Sequence, residues 1–282
     1  MHATYCILHT TMKLVFFGTP DYVIPVLEKL HKYHEIVAVV TQSPKPVGRD
    51  KKVTYSAVDA WAYKKKIIRN FDYVDLPEAD MGVCASFGMI IPKVILNHFK
   101  YGILNIHPSL LPKYRGASPI QTAIANGDQT TGVTIIKMNE QMDHGKIVTQ
   151  FNEDILDNDT FQTLRERLFE KSADVLINLI EPYIKGKINL KEQDHTKATF
   201  TKLINKQDSY IDLSDDPQLI DRKLRAYSPW PGIWTQITLK QSGQSKRLKI
   251  LEYKDEPTTV QLEGKNPVSW KQFKSSYGIE EF

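Results

Sequence analysis

Three side chains of complementary chemistry stand near the middle of the 282-residue chain: Asn105, His107 and Asp143. An asparagine offers an uncharged amide donor. A histidine titrates near neutral pH, and a carboxylate beside it favours the charged ring and fixes its orientation. Together they could supply oxyanion donors and a proton relay. Each also has an ordinary structural reading: a bulge or edge for Asn105, a backbone bond for His107, turn chemistry for Asp143 ahead of His144-Gly145. Residue types and spacing leave those readings open. A metal site is disfavoured, because the adjacent Asp143 and His144 would not normally point into one site and no third histidine is placed nearby. A serine nucleophile is equally weak, since Ser109 lacks a glycine-flanked elbow.

The elements that must position these groups follow from local pattern. Ile103, Leu104 and Ile106 are apolar in a run short enough for a buried parallel strand; Asn105 interrupts it and His107 ends it, and these two, two apart, share one face. Pro108 and Pro112 bar a helix, so Ser109-Leu110-Leu111-Pro112 is predicted as an extended loop. Ser118-Pro119 then starts a helix over 119–125. The β-branched run 131–138 is predicted as a strand, 139–145 as a loop carrying Asp143, and 146–151 as the returning strand. Upstream, a strand at 13–17, a helix with Val23, Val26, Leu27 and Leu30 on one face, and a strand at 35–41 make a β-α-β opening. Gly18 stands alone there, which excludes the three-glycine dinucleotide fingerprint. A polar loop at 42–54 carries Lys45, Arg49, Lys51 and Lys52, a cluster that is usually just solvated. A helix at 56–66 has a basic end suited to its dipole. A strand at 80–85 leads through the apolar loop Ser86-Phe87-Gly88-Met89-Ile90-Ile91 to a helix at 92–97. A long amphipathic helix spans 160–184, with Asp159 as its cap. Residues 186–202 read as a polar, extended linker. A short helix at 219–227, a rigid Pro229-Trp230-Pro231 turn and strands at 233–239, 248–253 and 258–262 form a small second domain.

Bulk properties bound the function. Hydrophobic residues make up 41% and charged residues 25%, the balance of a soluble globular chain. No apolar run approaches the roughly 20 residues needed to span a bilayer. Residues 1–11 resemble neither a secretory signal nor a transit peptide and read as a disordered extension ahead of Met12. Cys6 and Cys84 do not make a disulfide framework, which suits a reducing cytoplasm. A net charge of +4 cannot drive tight nucleic-acid binding alone, but it permits local basic patches.

The stretch Asn105-x-His107-x-Ser109-Leu110-Leu111-Pro112-x-x-Arg115-Gly116-x-x-Pro119-Ile120, with Met142-Asp143-x-Gly145 downstream, resembles the signature of the folate-dependent formyltransferases. Likeness continues in Phe17-Gly18-Thr19-Pro20-Asp21, Val40-Thr41-Gln42, Gly48-Arg49-x-Lys51-Lys52, Thr131-Gly132-Val133-Thr134-Ile135 and Pro229-Trp230-Pro231. The Gly-Thr-Pro-Asp start and the Pro-Trp-Pro turn are similar to members that act on a charged tRNA. The resemblance implies an α/β catalytic domain over 12–185, with a Rossmann-like, mostly parallel sheet and flanking helices. A linker at 186–202 and an OB-like β-barrel at 203–282 would follow, the barrel abbreviated here. It assigns catalysis to Asn105, His107 and Asp143. It assigns folate contact to Ser109, Leu110, Leu111, Pro112 and the backbone of Met89 and Ile91, and tRNA contact to Arg49, Lys51 and Lys52. The implied donor is 10-formyltetrahydrofolate, without a metal. The implied acceptor is the α-amino group of methionyl-initiator tRNA, in a monomeric, cytoplasmic enzyme with no membrane partner. The short second domain keeps two other readings in view: an amino sugar nucleotide as acceptor, or a silent RNA- or folate-binding module. Two departures from the family stand out. The stretch 67–80 is short, as though a helix were trimmed away. Pro108 occupies a position where glycine, alanine or serine is commoner, and it removes an N–H.

Overall fold

The computed structural model describes residues 10–47, 50–239 and 243–277; of the expected extension, only Thr10 and Thr11 fall among them. The chain divides into two compact units. One holds the chain up to Arg115 with Gly132–Glu153 and Arg165–Phe200; the other holds Gly116–Thr131, Asp154–Leu164 and the chain from Thr201.

The first unit is built on a sheet whose central strands are apolar on both faces, the composition of strands covered on both sides. Its strands are β1 (Lys13–Gly18), β2 (Glu35–Val40), β5 (Ile68–Asn70), β6 (Met81–Ala85), β7 (Ile103–His107), β9 (Thr130–Lys137) and β10 (Lys146–Asp154). They lie in the order β10-β9-β7-β6-β1-β2-β5. Pairing is parallel from β7 through β6, β1 and β2 to β5, and antiparallel between β7 and β9. β7 is therefore a parallel strand on one side only. Helix α1 (Ile24–Tyr33) buries Val26, Leu27 and Leu30, the face its spacing predicts. Helix α2 (Ala57–Lys65) starts where the Ser56 hydroxyl accepts from Asp59 N–H. Helix α3 (Lys93–Leu96) is a single short turn. Helix α5 (Phe161–Ile184) buries Leu164, Leu168, Leu176 and Ile180. Under the sheet, Phe17 meets Phe87 and Phe99 edge-on at 5.6 and 6.0 Å.

Three expectations change. The polar loop at 42–54 contains a hairpin of β3 (Lys45–Val47) and β4 (Lys52–Thr54), held by backbone pairing that composition does not reveal. The shortened 67–80 stretch contributes the edge strand β5. The linker stretch is not simply extended: Lys191 and Ile147 exchange N–H···O bonds at 2.9 and 2.8 Å, and within it the short strand β11 (Phe200–Thr201) pairs with β8 (Arg115–Gly116).

In the second unit α4 (Pro119–Asn126) and α6 (Pro217–Tyr227) pack together. The Asp216 carboxylate caps α6, with Pro217 at its first turn. Ser118 precedes α4 as expected, but its side chain makes no capping bond. Strands β12 (Ile233–Thr238), β13 (Ser245–Lys254), β14 (Glu256–Leu262) and β15 (Val268–Ser269) form an antiparallel row in that order, and among the described residues β12 and β15 are its ends. This is the small β domain expected, with few strands. A last helix, α7 (Trp270–Tyr277), buries Trp270 and Phe273. No described helix is long and apolar enough to cross a membrane.

Candidate active site

Asn105 and His107 leave the same face of β7, whose register sets Asn105 beside Cys84 and His107 beside Thr134. The 139–145 loop folds over that face. It brings Asp143 Oδ1 to 3.4 Å from His107 Nδ1 and 3.5 Å from Asn105 Nδ2. Two donors thus converge on one oxygen, at lengths that leave room to tighten around a reacting group. The other ring nitrogen, Nε2, lies 2.9 Å from the Tyr114 carbonyl oxygen, which can only accept. An acceptor oxygen thus lies near each ring nitrogen, which fixes the orientation of the ring. His107 is 4% exposed, so water competes little for these bonds.

Asp143 sits at φ 51°, the left-handed region that costs a non-glycine residue strain. Two neighbours hold it there. Gly145 lacks the Cβ that would otherwise meet the Lys137 carbonyl oxygen. Gln193 donates through Nε2 to the Asp143 and Gly145 carbonyls, each at 2.8 Å. The Gln193 Oε1 accepts from Arg115 Nη2 at 2.7 Å and Nε at 3.2 Å. Arg115 is itself buried. Burial lowers its guanidinium below the ordinary value, and the Asp143 charge opposes that. Beside them the His144 and His195 rings stack 3.8 Å apart. Burial, His195 and Arg115 all push the His144 imidazole below its usual value.

The Ser109-Leu110-Leu111-Pro112 loop is fixed from beneath by Thr134, whose hydroxyl donates to the Ser109 carbonyl at 2.6 Å and accepts from Leu111 N–H at 3.0 Å. Gln150 Nε2 reaches the Leu111 carbonyl and Thr134 Oγ1. The Ser109 hydroxyl donates to the Lys113 carbonyl at 2.6 Å, so it is committed within the loop. Leu111 is buried and Leu110 and Pro112 are half-buried; the Leu111–Pro112 peptide is cis. Facing Asp143, burial pushes the Cys84 thiol up to about 12, with the carboxylate adding to the effect.

The 86–91 loop is tied by Thr19 Oγ1 and Gln42 Nε2, which donate to the Phe87 carbonyl at 2.9 and 3.2 Å. Tyr73 donates to the Ile90 carbonyl at 2.7 Å. Lys93 pairs with Glu140 at 2.7 Å, bringing this loop's helix to the Asp143 loop. Met89 is partly exposed here, whereas the Ile91 side chain is buried in the core cluster. Lys51 and Lys52 stand exposed on the β3–β4 hairpin, and no described hydrogen bond or ion pair joins them to the triad. Arg49 lies outside the described residues. Among the described residues no three His, Cys, Asp or Glu side chains are grouped to hold a metal ion.

Sequence reasoning gave no role to Thr134, Gln150, Arg115 or Gln193. Arg115 stands inside the motif and could have been found there. Gln193 lies in a polar stretch without periodicity and carries no local signal.

Two family models match the chain: formyl transferase over residues 12–180, and formyl transferase C-terminal domain over residues 203–259. The methionyl-tRNA formyltransferase of Fusobacterium nucleatum subsp. nucleatum is 37% identical over 236 residues, 80% of this chain and 76% of that protein. That of Thermotoga maritima is 40% identical over 232 residues, 78% of this chain and 74% of that protein. Among solved structures, an N-formyltransferase from Helicobacter canadensis in complex with folinic acid and dTDP-3-aminofucose superposes with a TM-score of 0.65. It is 18% identical, covering 90% of this chain and 95% of that one. The sugar 3N-formyl transferase WlaRD, in the presence of dTDP and 5-N-formyl-THF, gives 0.59 at 22% identity over 77% and 79%. At such identities these structures speak to fold alone.

Proposed function

The chain belongs to the formyl transferase family, and from that premise we propose that it moves the formyl group of 10-formyltetrahydrofolate onto the α-amino group of methionyl-initiator tRNA. The observation that carries the chemistry is that Asn105 Nδ2 and His107 Nδ1 lie side by side, both within 3.5 Å of Asp143 Oδ1, so the two donors can turn together to a formyl oxygen bound beside them. In the reaction the amine attacks the formyl carbon, the carbonyl oxygen takes the charge, and the bond to the folate nitrogen breaks. Asn105 and protonated His107 donate to that oxygen, the service an oxyanion requires. The attacking amine gives up a proton and the departing folate nitrogen gains one; His107, oriented by Asp143, relays between them. The Ser109-Leu110-Leu111-Pro112 loop and the backbone near Met89 and Ile91 hold the folate, a flat heterocycle that needs apolar walls and fixed polar groups. The tRNA acceptor is favoured over a sugar by relatives near 40% identity that are named for it. Lys51 and Lys52, with Arg49, meet its phosphates. One chain supplies all three reacting side chains, so a monomer suffices for the chemistry we propose, and a translation substrate places it in the cytoplasm.

The test is to incubate the protein with methionyl-initiator tRNA and 10-formyltetrahydrofolate and to measure formylmethionine. His107→Asn should lower kcat by about 10²–10⁴-fold. A Lys51→Ala/Lys52→Ala variant should raise KM for tRNA and flatten its salt dependence. Formylation of an amino sugar nucleotide but not the tRNA would replace the acceptor. Folate binding without turnover on any amine would overturn the reading.

A further inference from the structure

Beyond the three reacting side chains, a fourth residue governs the site from a distance along the chain. We infer that Gln193 is the positioning residue for the Asp143 carboxylate, acting through the backbone of the 143–145 turn. The inference rests on the formyl-transfer reading for its kinetic consequence, but not for its geometry.

The placement begins with the antiparallel bridge between Lys191 and Ile147. Two residues further along one strand and two back along the other, that register sets Gln193 opposite Gly145. The Gln193 side chain is 4% exposed. Its Nε2 has two protons, and each has an acceptor: the Asp143 carbonyl at 2.8 Å and the Gly145 carbonyl at 2.8 Å. Its Oε1 is held by two guanidinium donors of Arg115. The amide is therefore satisfied on both sides and has one orientation. The guanidinium charge also polarises it, which strengthens both N–H donors in a dry setting.

What the two bonds fix is a turn the chain would not otherwise keep. Asp143 is in the left-handed region at φ 51°, where a side chain bears strain. Pinning the carbonyls on either side of His144 holds that turn, and the turn aims Oδ1 at His107 and Asn105. The described hydrogen bonds of Gln193 run to Arg115, Asp143 and Gly145, and none reaches Asn105 or His107. Its effect must pass through Asp143. That makes a distinctive kinetic prediction: loss of Gln193 should cost turnover, not donor affinity, and should cost nothing once the carboxylate is gone.

The experiment compares Gln193→Ala and Gln193→Glu with wild type, alone and combined with Asp143→Asn. The glutamate keeps a partner for Arg115 but turns an oxygen toward two carbonyl oxygens. We expect kcat to fall about tenfold or more in each single variant, with KM for the folate donor within about twofold. In the Asp143→Asn background the same changes should alter kcat by less than about twofold, since residues that act as a unit are not additive. Hydrogen exchange read by mass spectrometry should show faster exchange in peptides covering 139–145 and unchanged exchange over β7. Additive losses, a matched rise in KM, or wild-type kcat in Gln193→Ala would overturn the assignment. A variant that exchanges quickly throughout has unfolded and also counts against it. If the wild-type protein transfers no formyl group, the functional reading fails by itself. The exchange data then decide the positioning role: loosening confined to 139–145 supports it, and an unchanged loop refutes it.

Discussion

Gly145→Ala is the sharpest perturbation the site offers. A Cβ built on Gly145 would stand 1.9 Å from the Lys137 carbonyl oxygen, 2.9 Å from its carbonyl carbon and 3.3 Å from Met138 Cα. All three are backbone atoms, so no side chain can swing aside. The nearest contact is about 1.5 Å short of ordinary van der Waals separation, and the base of the loop must open by about that much. Asp143 lies two residues away, and its contact with His107 is already 3.4 Å. A misplacement of about 1 Å at reacting groups can cost on the order of 10²-fold in rate. Overpacking should separately destabilise the fold by about 1–3 kcal/mol. The assay is formyl transfer under saturating donor and tRNA, well below the thermal midpoint of the variant. We expect kcat to drop by about 10²-fold, with the folded protein intact by circular dichroism. A Gly145→Ala enzyme within about threefold of wild-type kcat would show that the loop base gives way without moving the carboxylate, and the geometric reasoning would be wrong.

Other predictions follow from the same contacts. Thr134→Val keeps the shape but strips a hydroxyl from the Ser109 carbonyl and the Leu111 N–H. Urea unfolding should show a loss of about 2–6 kcal/mol at roughly 1–3 kcal/mol for each of the two orphaned buried groups, and KM for the folate donor should rise. His195→Ala removes part of the burial and a like charge from His144, so the His144 C2–H resonance should titrate at higher pH than in wild type. The sign for stability follows. With the folded value depressed, the unfolded chain binds the proton more readily, so stability falls as pH drops through the unfolded value and into the folded one, and less steeply in the variant. Cys84, its thiol pushed up to about 12 by burial, should resist Ellman's reagent at pH 8 and react only on unfolding; peptide mapping that finds it labelled in the native protein would contradict this.

The parts of the fold that could be read from sequence are those where one strand carries its own evidence. β1 after Lys13 and β6 are unbroken apolar runs, β7 is apolar apart from Asn105 and His107, and a spacing of two sufficed to put those two on one face. β5 gave no such signal: its residues are exposed, exposed and buried, and it exists because β2 offers a free edge. The β3–β4 hairpin is likewise defined by its partner strand. At the site, the Ser109 hydroxyl donates to the Lys113 carbonyl, a bond across four residues that residue type alone does not disclose. The Asp-x-Gly pattern was visible, but its reason was not. Gly145 is required by the Lys137 carbonyl, which lies across a hairpin. Gln193 was the hardest to see, because its importance depends on a bridge to Ile147 from a distant part of the chain.

That bridge also governs how the chain can change in length. Residues inserted between Ile184 and Lys191 would lengthen an outer connection, and each doubling of a loop costs only about 0.6 kcal/mol. One residue inserted between Lys191 and Gln193 is another matter. Side chains alternate along a paired segment, so a slip of one turns the glutamine to the opposite side and takes its amide away from the Asp143 carbonyl. Two neighbouring stretches of what looks like a single connector thus differ sharply in what they tolerate: the first can drift in length, and the second is counted residue by residue.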